Sequence, residues 1–382
     1  MKITIAMDSF KGSLSSLECG RAVAEGLHRA LPEAILTVLP LADGGEGTSL
    51  ALMSALNAET RSVPVTGPAG MTVKASYGIA ASQKLAVMEM ASAAGLSLVP
   101  ECQRDPMHTT TYGVGEMICD AISLGCRDFI IGIGGSSTND GGTGMLSAMG
   151  FRFLGRDGTP VPPGARGLEH LSCIDTGAVP DQIRECHFMV ACDVGNPLYG
   201  ENGCSVVYAP QKGADPESVE KMDSWMAKYA EITKQATGTD YSMFPGAGAA
   251  GGLGFAFKSF LNADLRSGVD IVLDVIKAES EILSSNLVIT GEGRLDSQTP
   301  NGKAPIGITR VACSHGVPVV AIVGSASRDA GICNDCGITA FFPVIQSPCS
   351  LEEALDVQNA YFNVCITSEQ VGRLISKFLI PQ

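Results

Sequence analysis

The side chains able to do chemistry are gathered in a few short glycine-rich loops. The first, Asp8-Ser9-Phe10-Lys11-Gly12-Ser13, offers a lysine that can neutralise a phosphate or carboxylate and hydroxyls that can orient it. The same stretch also reads as the approach to a helix starting near Leu17, capped by Ser15 or Ser16. Both readings can hold, because a cap does not use Lys11. In the second loop, Ala42-Asp43-Gly44-Gly45-Glu46-Gly47-Thr48, adjacent glycines let backbone amides approach an anion where a helix begins. Asp43 and Glu46 suit a different task, holding Mg²⁺ or the hydroxyls of a substrate. The plainer alternative is two acids at the positive end of a helix, worth about 0.3–1 kcal/mol each.

The third loop, Gly132 to Gly142, contains Gly134, Gly135, Ser136, Ser137, Thr138, Asn139 and Asp140. Many donors with little steric bulk, between a strand and a helix, are what a polyphosphate needs. It is not a Walker A loop, since G-x-x-x-x-G-K-[ST] occurs nowhere in the chain. The fourth places Gly246, Gly248 and Gly251 in G-x-G-x-x-G spacing, but Asp240–Phe244 before it makes a poor strand and no acid follows at the dinucleotide-binding distance. A second phosphate cradle and close packing through small residues both remain open there. In the fifth, Thr290 to Ser297 and on to Lys303, Glu292 and Asp296 can hold a metal, while Arg294 and Lys303 can grip an anion. An internal ion-pair network uses the same residue types. Asp193, just after the apolar run Phe188–Ala191, is a candidate acceptor for a hydroxyl proton or a cap for the turn holding Asn196 and Pro197.

These loops need a frame. The chain has 382 residues, 45% of them hydrophobic and 17% charged, enough for two cored domains. β-branched runs at Lys2–Ala6, Ile35–Leu39, Phe129–Ile133, Phe188–Ala191, Leu287–Ile289 and Val319–Val323 alternate with helical patterns, which predicts parallel α/β layering. One helix is expected over Leu17–Leu31, another at the tail with Val371, Leu374, Ile375, Phe378 and Leu379 on its apolar face. Residues 61–90 read instead as a hairpin plus a third strand. The expected organisation is therefore an α/β domain of residues 1–62 and 255–382, interrupted by a second, inserted α/β domain of residues 63–254. Ligands in open α/β sheets bind at the carboxyl ends of strands, so most of these loops can share a crevice. A net charge of −14 disfavours nucleic acid. No apolar stretch reaches the roughly 20 residues of a membrane helix, and the start is no signal peptide. Thirteen scattered cysteines fit a reducing cytoplasm.

In this order, the loops resemble the type-1 glycerate kinase family. Asp8-Ser9-Phe10-Lys11-Gly12-Ser13-Leu14, Ala42 to Thr48 and Ile131 to Gly142 carry the likeness. It continues in Val190-Ala191-Cys192-Asp193, Asn196-Pro197-Leu198, Pro210-Gln211-Lys212-Gly213-Ala214, Pro245 to Gly252 and Thr290 to Arg294. Met7 stands where the family usually has proline, and Gly195 where it usually has threonine. The resemblance implies ATP and Mg²⁺, D-glycerate as substrate, 2-phosphoglycerate as product, and a Rossmann- or flavodoxin-like three-layer domain facing a second α/β domain across a cleft. On that reading Gly134, Gly135, Ser136, Ser137, Thr138, Asn139, Gly246, Gly248 and Gly251 hold the ATP phosphates. Asp43, Glu46, Glu292 or Asp296 position Mg²⁺, Lys11 and Arg294 act on the glycerate carboxylate or the transferring phosphoryl group, and Asp193 is the base. Asp8, Ser9, Asp43 and Asn196 complete the expected substrate contacts. A kinase of another small hydroxy acid, a dinucleotide-dependent dehydrogenase and a non-catalytic metabolite-binding protein are the rival readings.

Overall fold

The apolar runs form the strands of two separate sheets. The computed structural model describes residues 1–44 and 47–378. The chain divides into two compact units, Met1–Leu56 with Gly268–Gln382, and Asn57–Ser267. The positions near Ser62 and Gly254 fall inside elements of the second unit. The strand Glu59–Thr66 is paired along its length with Thr72–Ala80, and the helix Ala249–Leu261 buries Leu253, Phe255 and Phe257.

The first unit holds a five-stranded sheet in the order Ala340–Pro343, Val319–Val323, Leu287–Gly291, Lys2–Met7, Ile35–Pro40. All neighbours run parallel. Ile3, Thr4, Ile5, Ala6 and Met7 are all buried, as expected when helices cover both faces of a parallel sheet. Numbered by their sequence within this sheet, the strands lie in the order 2-1-3-4-5. The order reverses between Lys2–Met7 and Leu287–Gly291, and a ligand crevice opens at such a reversal.

Two helices pack closely on this sheet. Ser16–Ala30 starts with a reciprocal cap in which Ser15 and Glu18 bond each other's backbone amides, a device worth about 1 kcal/mol. Val357–Phe378 extends further back than its apolar spacing suggests and buries Val364, Val371 and Ile375. Leu374, expected on the same stripe, lies at its edge and is half exposed, and Leu379 lies outside the described residues.

The second unit is built on a six-stranded mixed sheet in the order Asp264–Arg266, His187–Ala191, Asp128–Gly132, Leu85–Glu89, Thr72–Ala80, Glu59–Thr66. The first four strands are parallel and the last two antiparallel. The antiparallel pair is the hairpin expected around Gly67–Gly70, closed by Gly67 N–H donating to the Met71 carbonyl at 2.7 Å. Its core stacks Phe129 on Phe188 and sets Tyr229 edge-on to Phe255. Among the described residues, no helix is long and apolar enough to cross a membrane.

Gly291 ends the third strand of the first unit, where a β-carbon would lie 1.7 Å from the Ile322 carbonyl oxygen. Gly291→Ala must push the strands apart beneath the crevice. Its expected cost exceeds about 2 kcal/mol. An unshifted urea midpoint would contradict this close approach.

Candidate functional site

The parallel sheet of the first unit delivers charged residues to one edge. Asp8 directly follows Lys2–Met7 and Glu292 directly follows Leu287–Gly291, in strands whose last residues, Met7 and Gly291, are register partners. The Asp8 amide donates to the Gly291 carbonyl at 2.9 Å, so the two acids leave the sheet side by side at the reversal of strand order. Asp43 comes from the loop after Ile35–Pro40. Ser16 ties these loops together, donating to the Met7 carbonyl at 2.7 Å and accepting from the Leu41 amide at 2.9 Å. Phe10 and Leu14 are buried and share two backbone hydrogen bonds. The tight loop they close turns Lys11 outward, 63% exposed, with its ammonium 3.4 Å from Asp43.

Lys11, Asp8, Asp43, Glu292, Arg294 and Lys303 line one cavity of about 630 Å³. Asp8 is only 4% exposed. Burial, reinforced by the charges of Asp43 and Glu292 and opposed by the Ser9 amide and Lys11, pushes its carboxyl up to about 7. Glu292 is likewise held above the usual carboxylate range by burial, although Thr299 and Lys303 counteract this. It accepts from the Thr299 hydroxyl at 2.7 Å and from Lys303 at 3.1 Å. Lys303 and Arg294 also approach Asp296, at 3.8 and 3.6 Å. The fifth loop is thus an ion-pair network, and the network opens into the cavity.

The fit of a divalent cation can be judged from Asp8. Among the described residues, no three acidic, histidine or cysteine side chains are grouped as a ready metal cage. Mg²⁺ is usually held by one or two carboxylates plus substrate phosphates. A carboxylate whose ionisation is suppressed by burial and by two neighbouring acids suits that role, because a cation would offset both. Glu46, the remaining expected ligand, lies outside the described residues.

In the second unit the polar loop after Asp128–Gly132 turns mostly inward. Gly134 and Gly135 are exposed, whereas Ser136, Ser137, Thr138, Asn139 and Asp140 are buried. Ser137 donates to the Ala94 carbonyl, and Asn139 to the Ser205 hydroxyl, both at 2.9 Å. Asp140 accepts from the amides of Thr111, Gly142 and Gly144 and from the Thr111 hydroxyl. Gly251 packs on this loop. A β-carbon there would lie 2.1 Å from the Thr138 carbonyl oxygen, and one on Gly248 would lie 2.2 Å from that of Pro197. Gly246 has a φ of 89°, and the residues before it form turns instead of a strand. Close packing therefore accounts for these glycines, and no dinucleotide-binding βαβ unit surrounds them.

Lys212 was not singled out as a site residue from sequence. It is buried in the second unit and donates to the Ser136 hydroxyl and the Thr138 carbonyl, both at 2.7 Å. Burial pushes its ammonium down to about 8, against the Cys204 thiol and Asp140. The available signal was a lone lysine in Pro210–Ala214, a motif already noted but given no role. Asp193 is exposed two residues beyond His187–Ala191. Asn196 is engaged locally, donating to the Asn202 carbonyl and accepting from Tyr208.

The model of the glycerate kinase family matches residues 3–376. A glycerate 2-kinase of Escherichia coli is 44% identical over 98% of this chain and 98% of its own length. A glycerate kinase of Bacillus subtilis is 45% identical over 93% of each. A crystal structure from Salmonella typhimurium LT2, provisionally designated glycerate kinase 2, superposes with a TM-score of 0.91 at 44% identity, covering 99% of this chain and 98% of that one.

The Asp8 carboxyl carries a sign-specific consequence. Well below about pH 4 it is protonated in folded and unfolded chains alike and contributes nothing. As pH rises toward the folded value of about 7, the unfolded chain ionises more readily and stability falls. Asp8→Asn should stabilise the ligand-free protein at pH 8, by up to about 4 kcal/mol, with no such gain near pH 4. Equal changes in urea midpoint at both pH values would contradict the shift.

Proposed function

The chain belongs to the glycerate kinase family, whose members phosphorylate glycerate with ATP, and on that premise we propose that the 2-hydroxyl of D-glycerate is the acceptor and that the crevice at Asp8 organises the transfer. The observation that carries this reading is the shared lining of Asp8, Asp43, Glu292, Lys11 and Lys303 at the strand-order reversal of the first unit. Phosphoryl transfer demands little covalent chemistry from a protein. It demands positioning and the neutralisation of charge on phosphate oxygens.

Mg²⁺, when bound through Asp8 with Asp43 or Glu292, supplies charge neutralisation at the phosphates. Lys11, exposed to solvent, can meet a phosphoryl oxygen, and Lys303, oriented by Glu292, offers a second ammonium. Arg294, 70% exposed in its side chain, can take the glycerate carboxylate through two parallel N–H donors. The second unit carries its own candidates, Asp193 as acceptor of a hydroxyl proton and the exposed amides of Gly134 and Gly135 as donors to an anionic oxygen. Lys212 serves this loop from behind, fixing Ser136 and Thr138.

Phosphorus NMR of the product from ATP and D-glycerate tests the acceptor position. A phosphate on the 2-hydroxyl couples to a single proton and gives a doublet, whereas a triplet would place it on the 3-hydroxyl. Asp193→Asn should lower kcat about 100-fold or more with a smaller change in KM. Near-normal turnover would remove Asp193 from the role of base. Lys303→Met should reduce kcat/KM for ATP by about 100-fold, and an unchanged value would confine Lys303 to the ion-pair network.

A further inference from the structure

The cavity at Asp8 has a second chemistry that glycerate and phosphate leave unused. Beyond its charged residues, much of the lining comes from the segment after Ala340–Pro343, including Ile345, Leu351, Ala354, Leu355, Ala360 and Asn363. Leu351 is 75% exposed, and Ile345 and Leu355 are each 37% exposed. Large apolar side chains left bare together inside a cavity are informative, unlike scattered ones on a surface. The volume, about 630 Å³, lies within the roughly 300–1,000 Å³ of pockets that enclose a drug-sized ligand. A three-carbon acid would leave most of it empty and has no use for an aliphatic wall.

We propose that this part of the cavity is the pocket for the purine base of ATP, with Ile345, Leu351, Ala354 and Leu355 against the ring faces and Asn363 reading the ring edge. The proposal rests on the kinase reading above and adds where the nucleoside lies. A ligand with a flat, weakly polar body joined to a polyanion matches a lining that is aliphatic in one part and holds Lys11 and Lys303 with three carboxylates in another. Asn363 supplies the polar specificity. Its side chain makes no hydrogen bond among the described residues, and an amide offers the paired donor and acceptor that match the exocyclic amine and adjacent ring nitrogen of adenine. The segment also lies correctly in the topology, since it follows the carboxyl end of a strand of the same parallel sheet.

Photolabelling of the full-length protein with an azidoadenine nucleotide, followed by peptide mapping, tests this directly. Label between Val344 and Asn363 is expected. Label confined to other segments would overturn the proposal. Two variants give a kinetic check. Ala354→Trp fills the pocket from a partly exposed helix position, and Asn363→Ala removes the edge contact. Each should raise KM for ATP about tenfold, leaving kcat and KM for D-glycerate within about twofold. An unchanged KM for ATP in both variants, in an enzyme that phosphorylates glycerate, would refute the base pocket alone. Labelling needs no turnover, so an inactive wild type labelled in this segment would refute the reaction and leave the pocket standing.

Discussion

The burial of a carboxylate beside two other acids is the constraint around which the first unit is arranged. A parallel sheet sends every strand end to the same edge, so Asp8, Asp43 and Glu292 converge although they are separated by up to most of the chain. Nothing in folding favours such crowding. A carboxyl pushed up to about 7 is a standing destabilisation, and strain of this kind persists where a site is prepared for a ligand. The surrounding structure holds the acids in place through the Ser16 bridge, the Ser15–Glu18 cap and the bonds from Thr299 and Lys303 to Glu292.

The lysines divide into two physical types. Lys11 is exposed, with its ammonium 3.4 Å from Asp43, and can swing toward an incoming anion. Lys212 is wholly enclosed, with two hydrogen bonds at 2.7 Å and an ammonium weakened by burial. An enclosed cation with fixed partners is suited to holding a loop still, and a loop already held loses little freedom when it binds. The inward-turned hydroxyl of Ser137, which donates to the Ala94 carbonyl, belongs with that bracing role. The exposed Gly134–Gly135 edge is what remains for contact.

Much of the fold was legible from periodicity. Val319–Val323 ran as written, Lys2–Met7 and Leu287–Gly291 extended their expected runs by one or two residues, and the hairpin around Gly67 appeared where turn chemistry placed it. Strand order was not legible, because it depends on which buried faces meet, and local composition does not encode that. The same limit applies to the site. Residue type nominated Lys11, Asp43 and Glu292, but the suppression of Asp8 ionisation comes from burial first and then from acids distant in sequence, neither of which local composition encodes. Glycine spacing at Gly246 to Gly251 suggested a ligand cradle, yet a carbonyl within 2.2 Å of a β-carbon on Gly248 or Gly251 is reason enough for each to lack one. Lys212 was hidden for the converse reason, since a lysine gives no sign in sequence that it will be enclosed.

The most direct measurement is a carbon-13 NMR titration of the Asp8 carboxyl, first in the free protein and then with Mg²⁺ and ADP. The free protein should titrate near 7, and the bound complex should fall back to or below the ordinary value of about 4 as a cation replaces repulsion with attraction. An ordinary value in the free protein, or a raised value untouched by Mg²⁺ and ADP, would contradict the view that this crowded edge is where the magnesium nucleotide is held.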